Sequence, residues 1–364
     1  MHGMTDKQKT ARIQAVIRQA GDELRHQYPL LARQNLIGSV VMTGALAGMA
    51  SMAVLYAKGL LAWWMVIPMV ALFQSLIHEL EHDLIHLMYF KDRPWAYHLM
   101  LLLCWLARPS TISPWVRRNL HLHHHKHSGT ETDLEERGIT NGESWGLKRL
   151  LMTGDNMLAV FLRPVSTYRM VRAYAKAQKP ASRREELLLN LRQWMGYSPI
   201  GLMHYVAWHG FLAYHATAYV AAHLGVPLTL SPMAQQLVHT LDFVAVAWLL
   251  PSHLRTFCLH FVSSNIHYYG DVEDRNVMQQ CQVVTAWWIT PFQLFCFNFG
   301  ATHAIHHFMV RDPFYIRQLT ATKAHQVMRE MGVRFNDFGT FLRANRFQRA
   351  DEPVAAAALK RQPI

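Results

Sequence analysis

Residues 63–86 read WWMVIPMVALFQSLIHELEHDLIH, an apolar run that ends in three histidines spaced four residues apart. The run starts near residue 60, is led by Trp63–Trp64, contains Pro68, and stays apolar to about residue 80. At about 1.5 Å per residue a helix of this length crosses a hydrocarbon layer of roughly 30 Å. On that helix His78, His82 and His86 fall near one face, one turn apart. The segment therefore delivers imidazoles to the edge of a membrane; His86 is the outlying one, expected in a supporting or solvated position. A first apolar run, 36–57, precedes it, and the short link at Lys58–Gly59 makes the two an antiparallel hairpin.

The rest of the chain fits a membrane protein. Of its 364 residues, 51% are hydrophobic and 16% charged, well below the roughly 25% charge of a soluble domain. The net charge of +12 is spread over polar segments without a recognition motif, which argues against a nucleic-acid partner and for a basic face toward headgroups or an acidic protein. Cys104, Cys258, Cys281 and Cys296 lie singly in apolar stretches and read as buried thiols, not as an iron–sulfur module. The polar start does not read as a signal peptide.

A second apolar pair covers 200–223 and 233–257. The loop between them, Leu224 to Pro232, has no charge, whereas the opposite flanks carry Arg192, Arg255 and Arg275, which puts the flanks in the cytosol. Residues 95–107 are too short to cross and are expected to be re-entrant or interfacial. The stretch 281–300 is long enough, but a crossing would separate His267 from the histidines at 303–307, so an interfacial helix broken near Pro291 is expected. The polar block 115–198 is extramembrane. The expected fold is thus all-α, with four transmembrane helices, interfacial helices and a cytosolic histidine-rich cap. Residues 1–35 form a cytosolic amphipathic segment at the membrane surface, 36–320 the membrane domain, and 321–364 a cytosolic C-terminal segment whose end, past about 345, is a loosely held tail. Trp105, Trp208, Tyr268 and Trp287 are candidates to line an apolar tunnel, or simply to pack.

Two more clusters share one frame, HxxHH: His121, His124 and His125, then His303, His306 and His307. Adjacent histidines diverge by about 100° around a helix, so each pair suits two neighbouring ions. His123 and His127 are surplus. Asn265-Ile-His267-Tyr-Tyr-Gly270-Asp271 adds a lone histidine after the last apolar run. The metal candidates are His78, His82, His121, His124, His125, His267, His303, His306 and His307. Nine are too many for one zinc and suit two ions with four or five each; imidazole does not choose between iron and zinc. Glu79, Glu81, Asp83, Asp133 and Asp271 are candidates to orient the rings, and Asn265 lies beside His267. His78-Glu79-Leu-Glu-His82 also satisfies HExxH, the zinc-protease pattern, with Glu79 as base.

The three histidine motifs, in this order over about residues 36–320, resemble the membrane fatty acid desaturase/hydroxylase superfamily. The first motif and the segment around His267 are similar to those of membrane alkane hydroxylases, while His307 through Pro313 and Tyr315 is closer to acyl desaturases. The extra His86, His123 and His127 depart from the pattern. The resemblance implies a non-haem centre of two iron ions that uses O₂ and two electrons on a lipid or acyl substrate, with fatty-acyl desaturation ahead of alkane, fatty-acid or carotenoid hydroxylation or ketolation. The four scattered cysteines provide no electron carrier, so an external donor of ferredoxin, cytochrome or flavin-reductase type is expected on the basic cytosolic cap. The charge asymmetry of the loops makes the chain an integral protein of the inner (cytoplasmic) membrane with its metal site toward the cytosol.

Overall fold

The computed structural model describes residues 3–348. The chain begins with α1 (Asp6–Gln27), started by a capping box in which Thr5 and Gln8 each bond the other's backbone N–H. A hairpin follows, α2 (Gln34–Ala57) and α3 (Trp63–Ile85), turned at Gly59. Helices α4 (Pro94–Ala107) and α5 (Pro114–His127) each open on a proline, whose missing N–H costs nothing in a first turn. Short helices cover the polar block: α6 (Leu134–Ile139), α7 (Leu147–Gly154), α8 (Asn156–Phe161), α9 (Pro164–Ala177) and α10 (Arg183–Trp194). Then come α11 (Ile200–His223) and a 35-residue rod made of α12 (Pro232–Val244), a π-helical turn and α13 (Leu250–Ile266). The π turn at Ala245–Leu249 lies just before Pro251, which has no N–H for the regular ladder. The last elements are α14 (Val277–Gln280), α15 (Thr290–Leu294), α16 (Phe299–Phe308) and α17 (Phe314–Glu330). The fold is all-α; among the described residues the only β pairing is two isolated bridges.

Among the described residues three helices, not the expected four, are both long and apolar enough to cross a membrane: Gln34–Ala57, Trp63–Ile85 and Pro232–Ile266. The fourth expected span, 200–223, does form a 24-residue helix, α11, but His204, His209, His215 and His223 reduce its hydropathy. The segment 281–300 is not one helix. It runs through an isolated bridge, a 3₁₀ turn and the five residues of α15, which begins with Pro291 at its first turn. The expected loose end past about residue 345 lies for the most part outside the described residues.

α1 does not use its apolar stripe on the membrane. Ile13 and Ile17 are buried with Ala304, Ile305 and Phe308 of α16 and Ala324 and Val327 of α17. α2 instead leaves Val40 and Val54 exposed, as a lipid-facing helix does, while its inner side meets α3 and α4 around Met42, Ala45, Ile77, Leu80 and Leu101. This packing brings the ends of α3, α5, α13 and α16 to one place.

Candidate metal centre

All four histidine-bearing regions meet there, in two adjoining groups. His82 and His86 from the end of α3, His121 and His125 from α5, and His306 from α16 form one. His124, His267, His303 and His307 form the other. Each group offers one ligand atom per residue within 4.8 Å of the others. The adjacent pairs His124–His125 and His306–His307 each divide between the groups, following the helical turn of about 100° per residue.

The spacing fits bound cations. Nε2 of His306 lies 3.0 Å from those of His86 and His125, His125 lies 3.0 Å from His121, and His303 lies 3.2 Å from His267 and 3.1 Å from His307. Ligand nitrogens about 2.1 Å from one ion and at right angles are separated by about 3.0 Å. His82 and His124 have buried Nε2 atoms with no partner, as lone pairs awaiting a cation would. Burial holds His121, His125, His303, His306 and His307 below the ordinary imidazole range, so they are neutral near pH 7, the form that binds metal. For His124 burial also acts downward, but the Asp133 carboxylate outweighs it and raises the ring to about 9.

His78 lies outside both groups. Its Nε2 faces Arg117 at 3.4 Å, and His86, expected only in a supporting position, stands in the first group instead. This also removes the zinc-protease arrangement. His78 and His82 do not share a group, and Glu79 pairs with Arg317 at 3.2 Å. His123 bonds Thr132 and His127 bonds Asp274, away from both groups.

The orienting partners differ from those expected. Of the acidic candidates, Asp133 alone bonds a grouped histidine, accepting from His124 Nδ1 at 3.0 Å. Glu79 and Asp83, one turn apart, both face Arg317 of α17; Glu81 faces Arg108 and Arg117. A carboxylate beside a histidine on one helix points about 100° away from it, so it serves another neighbour. Asp271 accepts from the backbone N–H of Phe347 and Gln348, and Asn265 accepts from Arg149. The partners the sequence reading missed come from other segments. Glu135 accepts from His121 Nδ1 at 2.8 Å, Gln280 from His307 Nδ1 at 2.8 Å, and Glu136 lies 3.4 Å from His267 Nδ1, which donates to Ser263 O at 2.9 Å. With Nδ1–H donated outward, each Nε2 lone pair faces the group. The acidic run Glu131 to Glu136, directly after the second cluster, was the available signal.

His267 is fixed through its backbone. Asn141 and Asn345 both donate to its carbonyl, at 3.0 and 3.1 Å. The segment also lies against the turn after α5, where Gly129 has φ +79° and a Cβ would come 2.6 Å from Tyr268 O; no other residue fits so close a crossing.

Beside both groups opens a cavity of about 440 Å³ between α5, α6, α8, α9, α11 and α13. His82, His121, His124 and His303 form one wall, and Ile112, Val116, Leu120, Met157, Val160 and Leu202 line much of the rest. The aromatic candidates are elsewhere. Trp105 donates to Thr111 O, Trp208 to Asp155, Tyr268 to Asp337, and Trp287 is 85% exposed.

Glu135→Ala is expected to weaken metal binding at the His121 group by about 10–100-fold without unfolding the protein. Titration of metal-free protein followed by isothermal calorimetry checks it; unchanged affinity would show that Glu135 does not orient His121.

A family model described as fatty acid desaturase matches residues 59–339, from the hairpin turn to beyond the third histidine cluster. No curated protein matches the chain.

Proposed function

The chain belongs to the fatty acid desaturase family, and from that premise we propose that its two histidine groups hold two iron ions and that it desaturates a fatty-acyl chain. The observation that carries this is the pair of adjoining, buried, all-imidazole groups opening on an apolar cavity. In this reading His82, His86, His121, His125 and His306 take one ion, and His124, His267, His303 and His307 the other. When bound and reduced, a diiron pair supplies the oxidant that takes hydrogen from an unactivated C–H bond. The overall reaction converts –CH₂–CH₂– with O₂, two electrons and two protons to –CH=CH– and two waters.

The chain's own residues provide the setting. Asp133, Glu135 and Gln280 hold imidazole rings in one tautomer by accepting their Nδ1–H. Phe299 stacks on His303 with ring centroids 4.1 Å apart and, with Leu259 and Val116, gives the chamber a dry wall. An apolar cavity of this volume suits a chain laid against the histidines, where position decides which hydrogens are removed. The four cysteines are buried singly and offer no electron carrier, so the electrons come from a separate donor of ferredoxin, cytochrome or flavin-reductase type, docking on the basic face.

α11 is read as a fourth crossing. The rod Pro232–Ile266 ends beside the metal centre and so begins on the opposite membrane face, whereas α5 to α10 lie on the metal side; only α11 links the two. The uncharged loop 224–232 then faces outward and the site faces the cytosol, in the inner membrane of the cell. Residues 36–320 are the catalytic membrane domain, flanked by 1–35 and 321–364.

Two measurements test this together. Purified protein is expected to hold about two irons per chain, and cells expressing it to contain lipids lighter by two hydrogens by mass spectrometry. One zinc without iron overturns the metal assignment; a gain of one oxygen turns the reading to hydroxylation.

A further inference from the structure

Between the ends of α4, α5 and α13 three buried or half-buried guanidiniums, Arg108, Arg117 and Arg255, lie near one another, and among the described residues carboxylates contact only two of them. Arg108 and Arg255 are both 0% exposed. Glu81 accepts from Arg108 and, at 3.0 Å, from Arg117. Glu135 takes Arg117 at 3.3 Å and is shared with His121. Among the described residues no carboxylate contacts Arg255, whose Nη2 donates to Thr256 Oγ1 at 2.7 Å. Thr256 in turn shares a hydrogen bond with Ser110, two residues from Arg108. Two carboxylates contact these three guanidiniums, Glu136 stands elsewhere on the cavity wall, and Nε and Nη1 of both Arg108 and Arg255 have no partner. A guanidinium does not shed its proton to relieve this, and an uncompensated buried charge is among the costliest features of a fold. Arg108 lines the cavity beside His78 and His82.

We propose that Arg108, supported by the field of Arg255, is an anion seat at the buried end of the cavity and takes the carboxylate of a free fatty acid that enters head-first. The proposal rests on the reading of the chain as an acyl oxidase and names its substrate class. A carboxylate matches the two-pronged donor face of a guanidinium. The aliphatic part of the wall, Ile112, Val116, Leu120, Met157, Val160 and Leu202, suits the tail, while Glu135 and Glu136 stand on the same wall. The open side is marked by Met195 and Leu202, lining residues that are 54% and 49% exposed, whereas Arg108 has no exposure. An ester or thioester keeps its bulky headgroup at that opening and brings no anion to Arg108; a free acid does. The carbons nearest the carboxylate, not the methyl end, then lie beside the histidines.

The test is equilibrium binding of radiolabelled palmitate and hexadecanol to iron-loaded protein in detergent, kept anaerobic and without electron donor so that nothing turns over. Palmitate is expected to bind at least about tenfold more tightly than hexadecanol, a gap that Arg108→Gln closes by weakening palmitate alone and Arg108→Lys restores in part. Equal binding of the two ligands to wild-type protein overturns the anion seat while leaving the apolar-chain reading standing. Binding of neither overturns both. If Arg108→Gln does not fold, the wild-type comparison decides. If it weakens both ligands alike, Arg108 shapes the cavity and is not a seat.

Discussion

Replacing His306 with alanine is expected to remove one iron per chain and to lower turnover by more than about 100-fold, beyond what loss of an orienting group brings. His306 stands between His86 and His125, with its Nε2 3.0 Å from each, so its loss opens the centre of the five-histidine group. The companion variant is His78→Ala. His78 belongs to the sequence pattern of the first cluster but to neither group in space, so this variant is expected to keep both irons. Elemental analysis and Mössbauer spectra of the two proteins decide between the assignments. Two irons in His306→Ala and one in His78→Ala would reverse the roles given to His306 and His78.

Arg317→Leu is expected to be the most destabilising single change outside the metal centre. Arg317 is 2% exposed and donates to Glu79 at 3.2 Å and to Asp83 at 3.0 Å. Asp83 also accepts from the backbone N–H of Phe314 and from Tyr89, tying α17 to the histidine-bearing end of α3. Leucine leaves two carboxylates buried without a cation, and breaking such a pair from one side costs about 3–5 kcal/mol. The protein is expected to lose thermal stability in detergent by several degrees or more, with or without iron. A double change that also replaces Glu79 by Gln is expected to recover part of the loss. A melting temperature unchanged in Arg317→Leu would mean that α17 is held by its apolar contacts alone.

Much of this architecture was legible in the chain itself. The apolar runs gave the hairpin and the long rod, because burial in hydrocarbon is written in composition over about 20 residues. The HxxHH frame gave the division of adjacent histidines between two groups, since it depends only on helical geometry. What failed were judgements about neighbours from other segments. His86 reads as the end of a pattern, but α3 continues to Ile85 and leaves it at the cap facing α5 and α16. Of the expected orienting carboxylates, Glu79, Glu81 and Asp83 share a helix with the first histidines and are turned away by its rotation, whereas Asp133 does hold His124. Glu135 and Glu136 reach the rings because the chain folds back after α5. Similarly, α1 has an amphipathic pattern that suits a membrane surface and a protein surface equally, and the partner that decided it lies about 290 residues later.

The tie between Asn345 and the carbonyl of His267 bears on when the centre can be made. A ribosome releases the chain from its N-terminus, and the hairpin bearing His82 and His86 enters the membrane long before His303 to His307 exist. Neither group is complete until α16 has emerged, and the backbone at His267 is secured only after residue 345 follows. A complete ligand set in either group, with His267 secured, therefore exists only once these last segments have been made.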